Sequence, residues 1–362
     1  MSRTLDRAVV LITGGTGSLG QTLVRRLLRG ELGMPERVVV FSRCEAKQYA
    51  MKTTWKHAYA ATDDIYYHNF EELLEFRIGD VRDYDSVHDA VAAADVVIHA
   101  AAMKQVPTCE YFPAQAVATN VRGAENVVRA VQRTGRAHTL LAVSTDKACK
   151  PINVMGMTKA LAERVVVEGN IGHADRRMIA VRYGNVLSSR GSVIPLFKQQ
   201  IAHGGPVTIT LPEMTRFLLS LDSAVDTILS AYRHALPGEI FVPQVPSACI
   251  PDIAATMIGE RAIATVVTGI RPGEKIHEIL VSEEEAYRTT ERAGHYVVEP
   301  ILPELRPDGE QARPLSAEYS SRDGVVRGQE LADLVAQADF VDPAMADAAT
   351  LTVAGTDFPP AS

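Results

Sequence analysis

Asp146 and Lys147 stand side by side at the end of a short apolar run, Thr139-Leu-Leu-Ala-Val-Ser144, with Thr145 between. A strand that delivers a carboxyl group and an amine to one place supplies an acid and a base. A lysine drawn out of water by substrate and cofactor loses several pKa units and becomes a base near neutrality. Asp146 serves as the acid where its own surroundings raise its pKa. The competing reading is a plain loop with a helix-capping aspartate and a surface lysine. Further on, Met155 and Lys159 are four residues apart, on one face of the helix that this stretch predicts. A thioether cannot exchange a proton, so Lys159 has no acid/base partner at residue 155.

The elements that position these groups follow from hydrophobic patterning. Apolar, β-branched runs recur at Ala8–Thr13, Arg37–Ser42, Leu74–Gly79, Asp95–His99, Thr139–Ser144 and Met178–Arg182. Continuous runs of that length fit strands buried on both faces. Helical patterns lie between them: Leu23, Val24, Leu27 and Leu28 mark one apolar face, and Val117, Val121, Ala124, Val127, Val128 and Val131 mark a longer one. The alternation is that of a doubly wound parallel α/β sheet.

Thr13-Gly-Gly-Thr-Gly-Ser-Leu-Gly20 follows the first strand and opens the first helix. The spacing of Gly14, Gly17 and Gly20, with Thr16, Ser18 and Leu19 among them, suits a tight turn that brings backbone against a pyrophosphate at a helix N-terminus. Where an acidic ribose reader is expected, about 20 residues on, the chain has Ser42-Arg43 and then Lys47. Two cations there favour a 2′-phosphate, and so NADP over NAD. Asp80 and Val81 after the third strand are placed near the adenine edge, although Asp80 can equally cap the next helix. Ala100, Ala101 and Ala102 after the fourth strand leave room for a cofactor to pass.

With 362 residues the chain can form one large or two interlocked domains. A net charge of −7 argues against a broad nucleic-acid-binding face. Four scattered cysteines without a CxxC pair indicate neither a zinc site nor a disulfide framework, and a reducing cytoplasm suits them. No apolar run reaches the ~18 residues of a membrane span. After about Tyr183 prolines and glycines punctuate shorter elements, which predicts a smaller unit rather than more sheet. The expected division is a cofactor domain over 1–183 with part of 213–243 interleaved, a substrate domain over 184–330, and a flexible tail over 331–362. His277, Glu278 and His295 lack ligand spacing, so no metal is expected.

The glycine turn, the Asp80 turn, the small residues at Ala100 and the helix lysine at Lys159 resemble the extended short-chain dehydrogenase/reductases, whose active helix normally reads Tyr-x-x-x-Lys. More specific stretches narrow the likeness: Phe41-Ser-Arg-Cys-Glu-Ala-Lys-Gln48, His99-Ala-Ala-Ala-Met-Lys-Gln-Val-Pro107, Ser144-Thr-Asp-Lys-Ala148, Pro151-Ile-Asn-Val-Met-Gly-Met-Thr-Lys159, Arg182-Tyr-Gly-Asn-Val186, Pro212-Glu-Met-Thr-Arg-Phe217 and Arg271-Pro-Gly-Glu-Lys-Ile-His-Glu278. Together they resemble the inverting UDP-N-acetylglucosamine 4,6-dehydratases of the capsule and flagellin-sugar type, from about Val9 to Glu284. Some capsular members resemble this chain in having Met at the tyrosine position.

The resemblance implies a Rossmann domain with a smaller α/β substrate domain, and bound NADP. It also implies oxidation at carbon 4 of the sugar, loss of the carbon-5 proton and carbon-6 hydroxyl, and reduction at carbon 6 with inversion at carbon 5. Lys147 would take the protons, with Thr145 holding the hydroxyl, and Asp146 would protonate the leaving group. Lys159 would orient the nicotinamide ribose, and Tyr183 and Asn185 would lie where cofactor and sugar meet. Lys104 would reach substrate or cofactor phosphate. Arg216, Arg271 and Glu274 would hold the UDP, with Val193, Pro195 and Thr208 on the uracil and sugar rim, Ser192 to Phe197 being read as a loop. A UDP-sugar 4-epimerase and a non-catalytic NADP-binding sensor or scaffold are the rival readings. The expected partners are a UDP-sugar and further copies of the chain, as dimer or hexamer through the apolar face over about Ala116 to Gln132, with neither nucleic acid nor membrane.

Overall fold

The structure is a computed structural model that describes residues 4–59, 65–187, 193–306 and 312–339. The six apolar runs form strands β1 (Val9–Thr13), β2 (Arg37–Ser42), β3 (Leu74–Ile78), β4 (Val96–His99), β5 (Thr139–Thr145) and β6 (Arg177–Tyr183). They pair in parallel in the order β3-β2-β1-β4-β5-β6. β1, β4 and β6 are buried along their whole length. Layers on both faces of the sheet leave no side of these strands in water, which is why they read as unbroken apolar runs.

The two faces have separate cores. Val10 and Ile12 of β1 pack with Leu23, Val24, Leu27 and Leu28 of helix α1 (Ser18–Leu28). Val9 and Leu11 point the other way, against Val127, Val128 and Val131 of helix α2 (Gly123–Arg133). The apolar face over 116–132 that was offered to a dimer is therefore occupied, in its α2 part, by the sheet.

The sheet does not end at β6, contrary to expectation. β7 (Ile240–Pro243) adds in parallel, and a hairpin of β8 (Thr289–Arg292) and β9 (His295–Val298) completes the edge antiparallel, in the order β6-β7-β9-β8. These strands have four residues each, and the hairpin carries Thr, Glu, Arg and His, so no long apolar run announced them. Ala293 (φ 52°) and Gly294 (φ 71°) make the two-residue turn, whose left-handed backbone matches the twist of the paired strands.

Helix α3 (Val154–Glu168) follows β5 and carries Met155 and Lys159. A second, smaller core gathers Phe197 of helix α4 (Val193–Ala202), Val207, Met214 and Ile253 with Leu331 and Val335 of helix α5 (Gly328–Asp339). Helix Leu221–His234 instead joins the sheet core through Val225 and Ile228. Residues 331–339, expected as the start of a flexible tail, are helical because Leu331 and Val335, four apart, share a buried face. The rest of that tail, 340–362, lies outside the described residues. No described helix is long and apolar enough to cross a membrane.

Candidate active site

The carboxyl ends of the parallel strands open on a cleft of about 810 Å³, at the point where the strand order reverses between β1 and β4. All the cofactor positions expected from the sequence, from Gly14 to Tyr183, line it. Gly14 has φ 74°, and a Cβ there would sit 2.8 Å from the backbone nitrogen of Ala101. A Cβ on Gly20 would come within 2.5 Å of Gly15. These two glycines let α1, the turn and the Ala100 segment close on one another. Gly17 is the N-cap of α1 and supplies no side-chain cap, which leaves first-turn N–H groups for an anion. The cradle fits a dinucleotide pyrophosphate.

Polar side chains to which the sequence assigned no role hold the cleft in shape. Thr13 Oγ1 and His99 Nδ1 lie 2.8 Å apart across β1 and β4, and burial pushes His99 down to about 3, so the ring is neutral. Asn120 sits in a π-helical turn, Val117–Arg122, just before α2. It accepts from the Met103 N–H and donates to the Met103 carbonyl and Thr158 Oγ1, fixing the loop that carries Lys104 against α3. Such turns often mark functional sites. At the end of β2, Gln48 donates to the Ser42 carbonyl, Ser42 Oγ and the Arg77 carbonyl, which presents Arg43 outward, 60% exposed. Asp80 is engaged by Arg82 at 2.6 Å and by Arg43 at 3.8 Å. Partial burial works against ionisation, but these cations hold its carboxyl below the ordinary range.

At the candidate reaction centre Asp146 is fully buried. Thr145 Oγ1 donates to it at 2.7 Å. Lys147 Nζ lies 3.3 Å from both Asp146 oxygens, 3.0 Å from Asn185 Oδ1 and 3.6 Å from Glu278 Oε1. Burial alone pushes Lys147 down, but the Asp146 and Glu278 carboxyl groups outweigh it and hold the amine above its ordinary value. Burial likewise pushes Asp146 up, and Lys147 with hydrogen bonds from Glu278 and Thr145 brings it below. Both directions oppose the sequence expectation, because desolvation was weighed there without the ion pair that forms between neighbours. Glu278 behaves otherwise: burial, then the Asp146 charge, push it up to about 7.

Gly156 explains how α3 comes so near this turn, since a Cβ there would meet the Lys147 carbonyl oxygen at 2.2 Å. Met155 packs in a small apolar cluster with Cys109 and Ala116 and also lines the cleft. Lys159 Nζ donates to the Val143 carbonyl at 2.6 Å, and burial lowers it to about 8. Tyr183 is buried and its hydroxyl is held protonated. Ser144 Oγ, Glu274 Oε2 and Glu278 Oε2 are buried at the cleft with no protein partner.

On the substrate side, Lys104, Asn185, Val193, Thr208, Arg216, Arg271 and Glu274 line the cleft, and Pro195 does not. The reason is that residues from Val193 form helix α4 and not a loop, so Val193, Leu196 and Phe197 share the inward face and Pro195 turns away; Ser192 lies outside the described residues. Asn185 is tied to Lys147 rather than left open to ligand. Arg216 donates to the Thr215 and Ile276 carbonyls and lies 3.6 Å from Glu278. Asn153 donates to the Gly273 carbonyl, anchoring the Arg271–Glu274 turn to the start of α3. His277 pairs with Thr215 and His295 with the Ala293 carbonyl. Among the described residues no group of His, Cys, Asp and Glu is arranged to hold a metal.

Glu278 is the residue that sequence reasoning set aside. It closes the Arg271–Glu278 stretch, but the contact that gives it meaning crosses 132 residues of chain to Asp146.

Comparison with known proteins agrees with this architecture. The chain is 39% identical over 296 residues to a UDP-N-acetylglucosamine 4,6-dehydratase (inverting) of Campylobacter jejuni, covering 81% of this chain and 83% of that protein. It is 41% identical over 293 residues to a UDP-glucose 4-epimerase of Rickettsia typhi, covering 79% and 81%. The crystal structure of Pen from Bacillus thuringiensis superposes with a TM-score of 0.82 at 30% identity, covering 94% of this chain and all of that one. Fold and relatives together define a nucleotide-sugar-modifying enzyme of the extended short-chain dehydrogenase/reductase type. The chain belongs to the polysaccharide biosynthesis protein family, whose sequence model matches residues 10–300.

Proposed function

We propose that the enzyme catalyses NADP-dependent 4,6-dehydration of UDP-N-acetylglucosamine with inversion at carbon 5, giving a UDP-2-acetamido-2,6-dideoxy-4-hexulose. The observation that carries this reading is the contact of Lys147 Nζ with Asp146 at 3.3 Å in the cleft. Removing a proton from one carbon and a hydroxyl from the next needs a base and an acid together, whereas epimerisation at carbon 4 needs neither group for elimination. The Campylobacter jejuni relative supports the same choice.

Gly14, Gly17 and Gly20 hold the cofactor pyrophosphate, and Arg43 and Lys47 face the 2′-phosphate, with Gly79 and Asp80 beside them in the cleft. NADP supplies a reversible hydride acceptor. Lys159, fixed by the Val143 carbonyl, orients the nicotinamide ribose. Arg216 and Arg271 meet the UDP diphosphate, and the unpartnered Glu274 Oε2 suits a ribose hydroxyl. A proton shift from Lys147 to Asp146 arms both groups at once. Lys147 then takes the 4-hydroxyl proton as hydride leaves carbon 4 and passes it to solvent; neutral again, it takes the carbon-5 proton while Asp146 protonates the departing carbon-6 hydroxyl. A cytoplasmic location suits four free cysteines. A homo-oligomer, dimer or hexamer, remains part of the reading, with exposed Met157 and Leu161 of α3 as its surface.

The Rickettsia typhi relative keeps carbon-4 epimerisation as the second reading. Incubation with UDP-N-acetylglucosamine in deuterated water, followed by NMR, separates the two. The expected product is a 6-deoxy-4-keto sugar with deuterium at carbon 5. A 4-epimer with no water lost overturns the proposal, and no product from any UDP-hexose despite NADP binding favours a sensor or scaffold.

A further inference from the structure

Glu278 is 3% exposed and belongs to the second half of the chain, yet it closes over the Asp146–Lys147 pair. Its Oε1 lies 3.6 Å from Lys147 Nζ and 3.6 Å from Arg216 Nε. Its Oε2 is buried with no donor in reach, while its carboxyl group stands within hydrogen-bonding reach of Asp146. Two carboxyl groups in contact cannot both ionise cheaply, so they share a proton. We infer that Glu278 works as a neutral carboxylic acid beside Asp146, and that its proton sets the charge on the Asp146–Lys147 pair that the elimination requires.

The proton count explains the role, which rests on the dehydratase reading above. With Glu278 protonated, the three groups hold two protons: Lys147 is an ammonium, Asp146 a carboxylate, Glu278 an acid. One proton moving from Lys147 Nζ to Asp146 leaves all three neutral and arms base and acid. In the elimination the carbon-5 to hydrogen bond breaks toward Lys147 Nζ, and its electron pair forms the new double bond. The carbon-6 to oxygen bond breaks as Asp146 gives its proton, so water leaves. The pair returns to ammonium and carboxylate with Glu278 unchanged. An ionised Glu278 would place a second carboxylate against Lys147 and hold the ammonium form, which cannot accept the carbon-5 proton. Glu278 is thus a positioning residue that acts through Asp146 and Lys147. The charged groups facing it are Asp146 and Lys147 after β5, Arg216 from the strand Thr215–Phe217, and Lys275 from its own loop. Arg216 and Lys147 favour the ionised form, and burial with Asp146 outweighs them.

The experiment compares the kcat pH profiles of the wild type, Glu278→Gln and Glu278→Asp, with NMR titration of ¹³C-labelled glutamate carboxyl groups. The wild-type kcat is expected to fall as pH rises through the neutral range, approaching ~10-fold per pH unit for one essential proton. That fall should vanish in Glu278→Gln, whose amide cannot ionise, and persist at a shifted position in Glu278→Asp. One glutamate signal titrating near neutrality in the wild type should be missing from Glu278→Gln. An unchanged alkaline fall in Glu278→Gln, a folded Glu278→Gln that turns over nothing at any pH, or a Glu278 signal already ionised well below neutrality each overturns the inference. Wild-type enzyme that yields no dehydrated product overturns the dehydratase reading instead, and the NMR titration still decides the state of Glu278.

Discussion

Residue 155 carries the plainest departure from the usual chemistry of this fold. Met155 sits in an apolar cluster with Cys109 and Ala116, so the site has replaced a proton-exchanging side chain by packing. In the proposed reaction the proton work then falls to Lys147, which Asn185 and Asp146 hold from two sides. Lys147→Ala is expected to lower kcat by at least ~10²–10⁴-fold, the worth of a positioned acid or base, while NADP stays bound, as read by steady-state kinetics and cofactor fluorescence. In the same assay Met155→Tyr should change the rate only mildly, and a large gain would mean that Lys147 is not the group that takes the first proton.

Helix α3 and the turn after β5 form one unit at the next scale. Thr145 caps the turn, Asn153 caps the helix, and Gly156 allows the helix to lie on the Lys147 carbonyl. Lys150 between them has φ 44°, a left-handed conformation that costs about 1 kcal/mol or more for a residue with a side chain. Its ammonium is tied to Glu318 at 2.7 Å and to Glu283 at 3.3 Å. The turn is therefore held in place from the second half of the chain. Gly156→Ala keeps the helix-forming tendency but forces the turn away, and a shift of about 1 Å near the chemistry can cost ~10²-fold. A drop of that order in kcat, with little change in far-UV circular dichroism, is the expected result.

Across the whole molecule, Arg182 of β6 joins the parts. It is 1% exposed, pairs with Glu163 of α3 and Glu285 near the C-terminal half at 2.7 Å each, and donates to the Leu280 carbonyl. Cys149, in the turn after β5, donates to the same Glu285, and burial first, with Glu285 and Glu163 adding to it, keeps that thiol protonated, up to about 12. Burial opposes ionisation of Glu285, but Arg182 dominates and draws it from 4.5 down to about 2. A depressed carboxylate stabilises the fold fully above its ordinary value and loses that contribution as pH falls toward its folded value. Urea titrations should therefore show stability falling between about pH 4.5 and about pH 2, and Glu285→Gln should flatten that fall. The same substitution at pH 7 leaves Arg182 half-paired and is expected to cost about 3–5 kcal/mol.

The sequence alone determined the six parallel strands, because burial on both faces writes itself as continuous apolar runs, and it determined the glycine turn, because backbone approach leaves no alternative residue. It also placed Asp146, Lys147, Met155 and Lys159 by local spacing. Strands β7 to β9 escaped notice because four residues are too short a run to read, and in the β8–β9 hairpin they are also of mixed polarity. Only the tertiary structure decided the rest. It turned Pro195 away from the cleft, docked residues 331–339 as a helix, and set the charges on Asp146 and Lys147 by pairing rather than burial. It also brought Glu278 to the pair from 131 residues beyond Lys147. Desolvation and charge pairing depend on what stands within a few ångströms, and the Asp146–Lys147 pair acquires Glu278 as its third member only when the chain closes on itself.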